Sequence, residues 1–374
     1  MVDFGEICKT LVQRAGEQLP LTVDEVTLEW LSKVLGVPII SFEVKEIIHG
    51  SGSKILIKLS YPNASRHSFP TNLCVKGGFN PEILQSLPML FNVYRLEALF
   101  YHQIGPRIPG LRLIPSYWQG IDRPSGKGQG IFILQDVAAA GFTFGNPLQP
   151  WSADQVREAL AQLAALHAAT WGEKKTRGAG IPWDRSWSGM RGVIEGMMSP
   201  SHWKLRFSDS AVRPPVSEVF WDNRERIVRC FHALWDDAEG WKMECLVHGD
   251  TQVGNTFIDA KGQPGFLDWQ CVHVNSAAHD VAYFITGALA VEDRRRHERE
   301  LFGYYLEELF RVGGPGLEVD QVWDEYRAHQ MHGFAWALAG PMMQSKEVVD
   351  VMSQRHCAAI LDHQSMDLLV PLEN

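Results

Sequence analysis

The segment that most constrains the fold of this chain is Leu246-Val-His-Gly-Asp-Thr-Gln-Val-Gly-Asn255, which two short apolar runs follow before Asp268. The two runs flank a Lys261-Gly turn, and this pattern predicts a β-hairpin. A hairpin of that length brings its two ends together. Asn255 and Asp268 are therefore expected to converge, with Asp250 close by in the sequence.

Carboxylate and amide side chains at these three positions suit phosphoryl transfer. The reaction needs oxygen ligands for Mg²⁺ on the nucleotide phosphates, and a carboxylate that orients and deprotonates the acceptor hydroxyl. Asn255 and Asp268 meet the first need, and Asp250 meets the second. The sequence therefore predicts an ATP-dependent kinase.

Hydrophobic patterning divides the chain into a β-rich first part and a helical second part. The elements predicted in the first part are a helix from Asp24 to Leu35 with a Thr22/Glu25 capping box, strands Ser41–Ile48, Lys54–Tyr61, Asn72–Lys76, Leu111–Trp118 and Gly130–Leu134, and a helix from Leu87 to Ile104. The second part is predicted to hold helices at Ser152–Thr170, at Val216–Trp241 and after Trp269, a β-rich stretch Cys245–Trp269, and an insertion Trp171–Pro215. We expect a nucleotide-binding N-lobe over residues 1–135, with a helical N-terminal extension. We expect a helical C-lobe over residues 136–374, with the catalytic loop and the acceptor site.

The motifs resemble those of the aminoglycoside phosphotransferase/choline kinase superfamily, whose HGDxxxxN loop parallels the HRDxxxxN loop of protein kinases. The resemblance is more specifically to the ecdysteroid kinase-like branch, with its motifs HGDxWxxN, DFQ and DLxYF. This chain has Asp268-Trp-Gln270 and then Asp280-Val-Ala-Tyr-Phe284, and the likeness covers roughly residues 45–290. It implies an α+β, two-lobed protein-kinase-like fold, with a small antiparallel β-sheet N-lobe and a larger, mainly helical C-lobe.

The resemblance also implies a role for each site residue. Asp250 would be the catalytic base, and Asn255 and Asp268 would bind Mg²⁺. Lys76 would contact the α- and β-phosphates of ATP, with Glu97 as its ion-pair partner. The alternatives are that Lys76 is a solvated strand terminus and that Glu97 is an ordinary surface helix residue.

Two further segments are candidates for nucleotide binding. The small residues of His49-Gly-Ser-Gly-Ser53 would let the backbone of Ser51, Gly52 and Ser53 approach phosphates, although the segment also suits a simple hairpin turn. Gln135-Asp-Val137 resembles the hinge whose backbone pairs with adenine. Within that hinge, Asp136 is expected to be a structural cap.

Other residues near the motifs are expected to be structural. His248 should hold the catalytic loop, and Asp280 should bind the loop backbone from its helix. A zinc site built from Cys245, His248, Cys271 and His273 is rejected, because Cys245 fits a strand core. The side chains expected to pack in the interior are His167, as a hydrogen-bonded core histidine, and Trp269.

The formal charge of −9 argues against sequence-independent nucleic-acid binding, which needs a basic surface. Six scattered cysteines without a CxxC pair favour a reduced, cytoplasmic setting, and neither a secretion signal nor a membrane span is predicted. Only eleven residues separate Asp268 from Asp280, which favours a small-molecule alcohol acceptor over a protein. The aromatic and Met-rich helices beyond Trp323 suit either an acceptor pocket or a core. The alternative functions are a catalytically silent nucleotide-binding module and an antibiotic-inactivating aminoglycoside kinase.

Overall fold

The computed structural model describes residues 18–50, 52–62, 69–80, 82, 90–122, 129–172, 190–236, 240–340 and 343–371. Its strands are β1 Ser41–Ile48, β2 Ser53–Ser60, β3 Asn72–Gly77, β4 Ser116–Ile121, β5 Gly130–Gln135, β6 Thr143–Phe144, β7 Glu244–Val247, β8 Thr256–Ile258, β9 Pro264–Phe266 and β10 His273–Ser276. Its α-helices are α1 Leu28–Leu35, α2 Leu90–Leu99, α3 Ala153–Ala169, α4 Met190–Met197, α5 Pro200–Phe207, α6 Glu218–Trp221, α7 Arg224–Asp236, α8 Ala277–Ala288, α9 Val291–Arg311, α10 Val319–His329, α11 Ala335–Leu338, α12 Lys346–Asp362 and α13 Ser365–Leu369.

The N-terminal part is built on a five-stranded antiparallel sheet in the order β1-β2-β3-β5-β4. Alternation along β2 and β3 puts Ile55, Ile57, Leu73 and Val75 on the face that packs with α1. The opposite face of β5 contributes Phe132 to a core shared with α2. The sheet thus has one face on a small core of its own and the other toward the helical part.

The C-terminal part is mainly helical and surrounds α8, every residue of which is buried. Helix α3 packs along α9, and both contribute to the largest core cluster. Two small antiparallel pieces interrupt the helices: the sheet β6-β8-β9 and the pair β7-β10. The predicted hairpin between Asn255 and Asp268 is confirmed as β8 and β9.

This architecture confirms the predicted α+β, two-lobed fold, with an antiparallel N-terminal sheet and a larger helical part. Among the described residues, no helix is both long enough and apolar enough to cross a membrane.

The predicted start of the first helix is wrong. Thr22 makes no side-chain cap, and Val23–Glu25 forms only a 3₁₀ turn. Helix α1 begins after Thr27, whose Oγ1 accepts a hydrogen bond from the Trp30 amide at 3.1 Å. The predicted stop is confirmed, because Gly36 adopts a left-handed conformation with φ 67°.

Other boundaries shift because periodicity does not report which residues pair. The strand predicted at Leu111–Trp118 begins only at Ser116, where pairing with β5 starts. Helix α2 changes into a buried π-helical turn at Phe100–Ile104. Residues 173–189 of the predicted insertion lie outside the described residues, and the rest of it contains α4 and α5.

Candidate active site

The centre of the site is an ion-pair cluster formed by three parts of the chain. Lys76 extends from β3, and its Nζ lies 2.7 Å from Glu97 Oε2, on α2, and 2.5 Å from Asp268 Oδ1, after β9. Lys76 is only 5% exposed, so it is not a solvated strand end. A buried lysine needs such partners, because desolvation of an unpaired ammonium is costly. The predicted Lys76–Glu97 pairing is therefore present, and Asp268 joins it.

Burial and charge oppose each other in this cluster. Burial alone would lower the pKa of Lys76, but the carboxylates of Asp268 and Glu97 raise it overall. Burial would raise the pKa of Asp268, but Lys76 lowers it below its ordinary value. Burial raises the pKa of Glu97, despite the lowering effect of Lys76. Lys76 and Asp268 are thus charged near neutral pH, and Glu97, with a pKa of about 7, ionises in the same range.

The backbone at Asp268 aims its carboxylate at Lys76. Asp268 has φ 68°, a left-handed conformation that Asp tolerates better than most residues. The next residue, Trp269, is fully buried and stacks on Phe100 with ring centroids 3.9 Å apart and planes 10° from parallel. The turn therefore buries Trp269, as predicted, while the side chain of Asp268 points toward Lys76 in the ion-pair cluster.

Asp250 and Asn255 form the second half of the site. The Asn255 amide nitrogen donates to the Asp250 carbonyl at 2.9 Å and to Asp250 Oδ2 at 2.8 Å. Its amide oxygen is therefore the atom that could face a cation. Burial, and then the charge of Asp268, raises the pKa of Asp250 to about 7. A carboxylate with this pKa suits proton acceptance near neutral pH.

The loop 248–255, which the sequence predicts to be the catalytic loop, is fixed by hydrogen bonds to Asp280. Its Oδ2 accepts from the His248 amide at 2.6 Å, and its Oδ1 accepts from the Gly249 amide at 3.0 Å. His167 Nε2 lies 3.1 Å from the same carboxylate. Although burial would raise the pKa of Asp280, the hydrogen bond from His167 and nearby histidines lower it to about 2. The predicted structural role of Asp280 is confirmed.

His248 holds the loop as predicted. Its Nε2 lies 3.0 Å from the Leu267 carbonyl and therefore donates, so its Nδ1 accepts from the Asp250 amide at 3.2 Å. Cys245 is fully buried in the strand core. His167 is also a hydrogen-bonded core residue, because its Nδ1 lies 2.8 Å from the Tyr305 hydroxyl.

The small residues between β1 and β2 have a packing role that the sequence did not suggest. Ser51 lies outside the described residues. A Cβ placed on Gly52 would lie 3.1 Å from the Tyr94 ring, and one on Gly78 would lie 2.5 Å from the same ring. Ser53 is buried, and its Oγ lies 3.2 Å from His49 Nδ1. Tyr94 thus packs beneath the turn, one helical turn before Glu97, and sequence reasoning missed it.

The hinge candidates lie at the end of β5, which closes with Gln135, and just after it. The Gln135 amide donates to the Pro115 carbonyl at 2.9 Å, and the Val137 carbonyl accepts from the Phe142 amide at 2.9 Å. Asp136 Oδ1 accepts from the Ala139 amide at 3.2 Å, which confirms the predicted structural cap.

The aromatic side chains beyond Trp323 pack mostly into the interior. Tyr326 belongs to the main core, and Phe334 belongs to a second core cluster with α5, α6 and α7. Trp336 forms a small cluster with Tyr283, whose raised pKa reflects burial first and then the charge of Asp250. The core alternative is therefore correct for Tyr326, Phe334 and Trp336, and Tyr283, which lies earlier in the chain on α8, is the neighbour that the charge of Asp250 reaches.

The lobes and the cluster between them define the class of two-lobed, protein-kinase-like proteins. A choline kinase from Cryptosporidium parvum shares this fold over 88% of this chain and 92% of its own length, at 14% identity and a TM-score of 0.51. The choline kinase LicA from Streptococcus pneumoniae aligns over 91% of this chain and 99% of its own, at 12% identity and a TM-score of 0.46. A Plasmodium vivax ethanolamine kinase aligns over 87% and 83%, at 15% identity and a TM-score of 0.45. No curated protein matches the chain by sequence.

Within this class, the model of the ecdysteroid kinase-like family matches residues 200–312. The matched segment contains the catalytic loop, the β8–β9 hairpin and the helix that carries Asp280. The predicted resemblance to this branch is confirmed there. The family and the structural neighbours are small-molecule kinases.

Proposed function

We propose that this protein transfers the γ-phosphoryl group of ATP to a hydroxyl of a small-molecule acceptor. The observation that carries the proposal is the Lys76 ammonium held between Glu97 and Asp268. A buried lysine charge of this kind, aimed from the sheet toward the hairpin end, suits the phosphates of a nucleotide. A catalytically silent module would be expected to lack one of the residues needed for transfer. Here all four are present, and they contact one another in two pairs, Lys76 with Asp268 and Asn255 with Asp250.

The donor set at the hairpin end fits Mg²⁺, which prefers oxygen ligands. We assign the carboxylate of Asp268 and the amide oxygen of Asn255 as the protein ligands. Bound there, the ion would neutralise charge on the phosphate oxygens. A cation next to Asp268 would also weaken its pairing with Lys76, which frees the ammonium for the α- and β-phosphates.

Asp250 is proposed as the catalytic base. It would orient the acceptor hydroxyl and accept its proton as the oxygen bonds to phosphorus and the bond to ADP breaks. The Asn255 amide nitrogen holds the Asp250 carboxylate in place at 2.8 Å. Because its pKa is about 7, Asp250 is substantially ionised in neutral solution.

We assign the nucleotide to the face of the sheet that carries Lys76, within an N-lobe over residues 1–135. The turn with Ser51, Gly52 and Ser53 would cover the phosphates. The backbone at Gln135 and Val137 would hydrogen-bond the adenine ring. Because the Val137 carbonyl already accepts a hydrogen bond from the protein, the Val137 amide is the better candidate for this contact. The acceptor would bind against the C-lobe, residues 136–374, on the side of Asp250 near Tyr283.

The experiment is an ATP-consumption assay with Mg²⁺ against panels of amino alcohols, aminoglycosides and sterols, followed by mass spectrometry of the product. Asp250→Ala should abolish phosphate transfer while the protein stays folded. Asp320→Ala is the matched control, because that carboxylate lies on α10 with 86% of its side chain exposed, and it should retain full activity. Full turnover by Asp250→Ala would contradict the assignment of the base. Stabilisation by ATP and Mg²⁺ without any transfer would favour a silent module.

A further inference from the structure

The residue that precedes the catalytic aspartate is held by the segment after the hairpin. Gly249 has φ 84°, and a Cβ there would lie 2.2 Å from the Cys271 carbonyl oxygen and 3.0 Å from His273 Nδ1. The Gly249 carbonyl oxygen lies 3.4 Å from His279 Nε2. The position of Asp250 is therefore set partly by two histidines that do not touch its carboxylate.

Asn275 lies between these two histidines, and its orientation is defined by the backbone. Its Oδ1 accepts a hydrogen bond from the Ser276 amide at 2.8 Å. Its amide nitrogen therefore faces the rings, 3.3 Å from His273 Nε2 and 3.5 Å from His279 Nδ1. An amide nitrogen can only donate, so both of these ring nitrogens must accept and carry no proton.

The other nitrogen of each ring faces a carbonyl oxygen and must donate. His273 Nδ1 lies 2.9 Å from the Cys271 carbonyl, and His279 Nε2 faces the Gly249 carbonyl. Each ring thus has one donor and one acceptor, which is the neutral imidazole. A second proton on either ring would point an N–H at the Asn275 NH₂ group. Burial acts in the same direction, because it lowers the pKa of His273 to about 3 and also lowers that of His279.

Other titratable groups surround the two rings. The charge of Asp280 favours protonation of both, but this carboxylate is already committed to the loop amides and to His167. Other titratable groups near the rings include His167, His329 and His332, close to His279, and Glu325 and Glu244, close to Ser276. The direct contact with Asn275 therefore decides against the charged form.

Building on the proposed function, we propose that Asn275 keeps His273 and His279 uncharged, and that these three side chains are positioning residues for Asp250. They act through Gly249: the rings define where its backbone lies, and Asn275 defines which protons the rings carry.

The variant that tests this is Asn275→Asp. A carboxylate of nearly the same shape can still accept from the Ser276 amide, but it also accepts from both rings and so favours their protonated forms. The first readout is NMR of the histidine Cε1–H groups, assigned with His273→Gln and His279→Gln. In the wild type neither ring should titrate between about pH 5 and 8, whereas in Asn275→Asp at least one should. Titration of both rings in the wild type, or of neither ring in the variant, would overturn the inference.

The second readout is the pH profile of turnover. Asn275→Asp should lower kcat at least about tenfold and change the KM for ATP less than about twofold, because Lys76 and Asp268 are untouched. The ring of His279 lies between residue 275 and Gly249, so the imidazolium is nearer to Asp250 than the new carboxylate is. Its positive charge should therefore outweigh that carboxylate and move the acidic limb of kcat to lower pH, by about half a unit or more.

Asn275→Leu is the matched comparison: it removes the amide without adding a charge, so the two rings should protonate more readily than in the wild type but less readily than in Asn275→Asp, and the acidic limb should lie between those of the other two proteins. An unshifted limb and an unchanged kcat in folded Asn275→Asp would refute a positioning role. If the wild type phosphorylates no alcohol, the proposed function fails, while the NMR readout still decides whether Asn275 keeps the rings neutral.

Discussion

Replacing Asp250 by Asn should have opposite effects on activity and stability. The carboxylate is held in a buried site beside the negative charge of Asp268, which raises its pKa from 3.8 to about 7. At about 1.4 kcal/mol per pKa unit, full burial would make the ionised form cost about 4 kcal/mol of folding free energy. Partial exposure of the side chain reduces our expectation to about 2 kcal/mol. Asp250→Asn removes this cost and can still accept the hydrogen bond from Asn255.

The sign of the pH dependence follows from the raised pKa. The folded protein binds the proton more tightly than the unfolded chain, so the wild type loses stability as the pH rises from about 4 to about 7. The stability gain of Asp250→Asn should therefore be near zero below about pH 4 and complete above about pH 7. At pH 8 it corresponds to an increase in Tm of about 2–3 °C for a chain of this length.

The assay is urea denaturation of wild type, Asp250→Asn and Asp320→Asn at several pH values, combined with phosphate transfer at pH 8. Asp320 is exposed on α10, so its variant should match the wild type in both measurements. If Asp250→Asn were less stable than the wild type at pH 8, the ionised Asp250 carboxylate would not destabilise the folded protein as its raised pKa requires. If it retained transfer, Asp250 would not be the base.

Two further predictions concern the ion-pair cluster and the loop. Glu97→Gln should lower kcat/KM for ATP about 10–100-fold with little change in circular dichroism, because Lys76 keeps only one carboxylate partner. Kinetics with ATP varied at saturating acceptor measure this effect. Unchanged ATP kinetics would contradict a role for the Lys76–Glu97 pair. Gly249→Ala should destabilise the protein by more than about 3 kcal/mol, because its Cβ would lie 2.2 Å from a backbone oxygen. Gly262 has a similar φ of 80°, but its Cβ would have no atom within 4 Å, so Gly262→Ala should cost only about 1 kcal/mol. Equal urea midpoints for the two glycine variants would show that backbone conformation alone sets the cost.

Much of the site could be predicted because its residues lie in two compact motifs with short, regular connections. Asp250, Asn255 and Asp268 belong to one loop and one hairpin, so sequence spacing is nearly equivalent to spatial proximity. That Lys76 needs a partner was also predictable, because a charged residue in an apolar strand requires an opposite charge, and the resemblance implied that the partner is Glu97. The second ion pair of Lys76, with Asp268, could not be predicted. Asp268 lies 192 positions further along the chain, and no local pattern indicates a contact of that range.

Boundaries and supporting residues were predicted less well. The helix predicted from Asp24 begins after Thr27, because several nearby polar residues suit a cap and only packing selects one. Tyr94 has the pattern of one more apolar position of α2, yet its ring leaves no room for a side chain at Gly78 and little at Gly52. No sequence motif indicates that His273, Asn275 and His279 share a role.

By itself, the sequence determined the α+β composition, the order of strands and helices, and the set of groups able to perform phosphoryl transfer. These depend on periodicity and on residue chemistry, which are local properties. Only the tertiary structure decided which groups are charged and where they point. Protonation of Asp250, Glu97 and the histidines depends on burial and on neighbours from distant segments, and both arise only when the chain is packed.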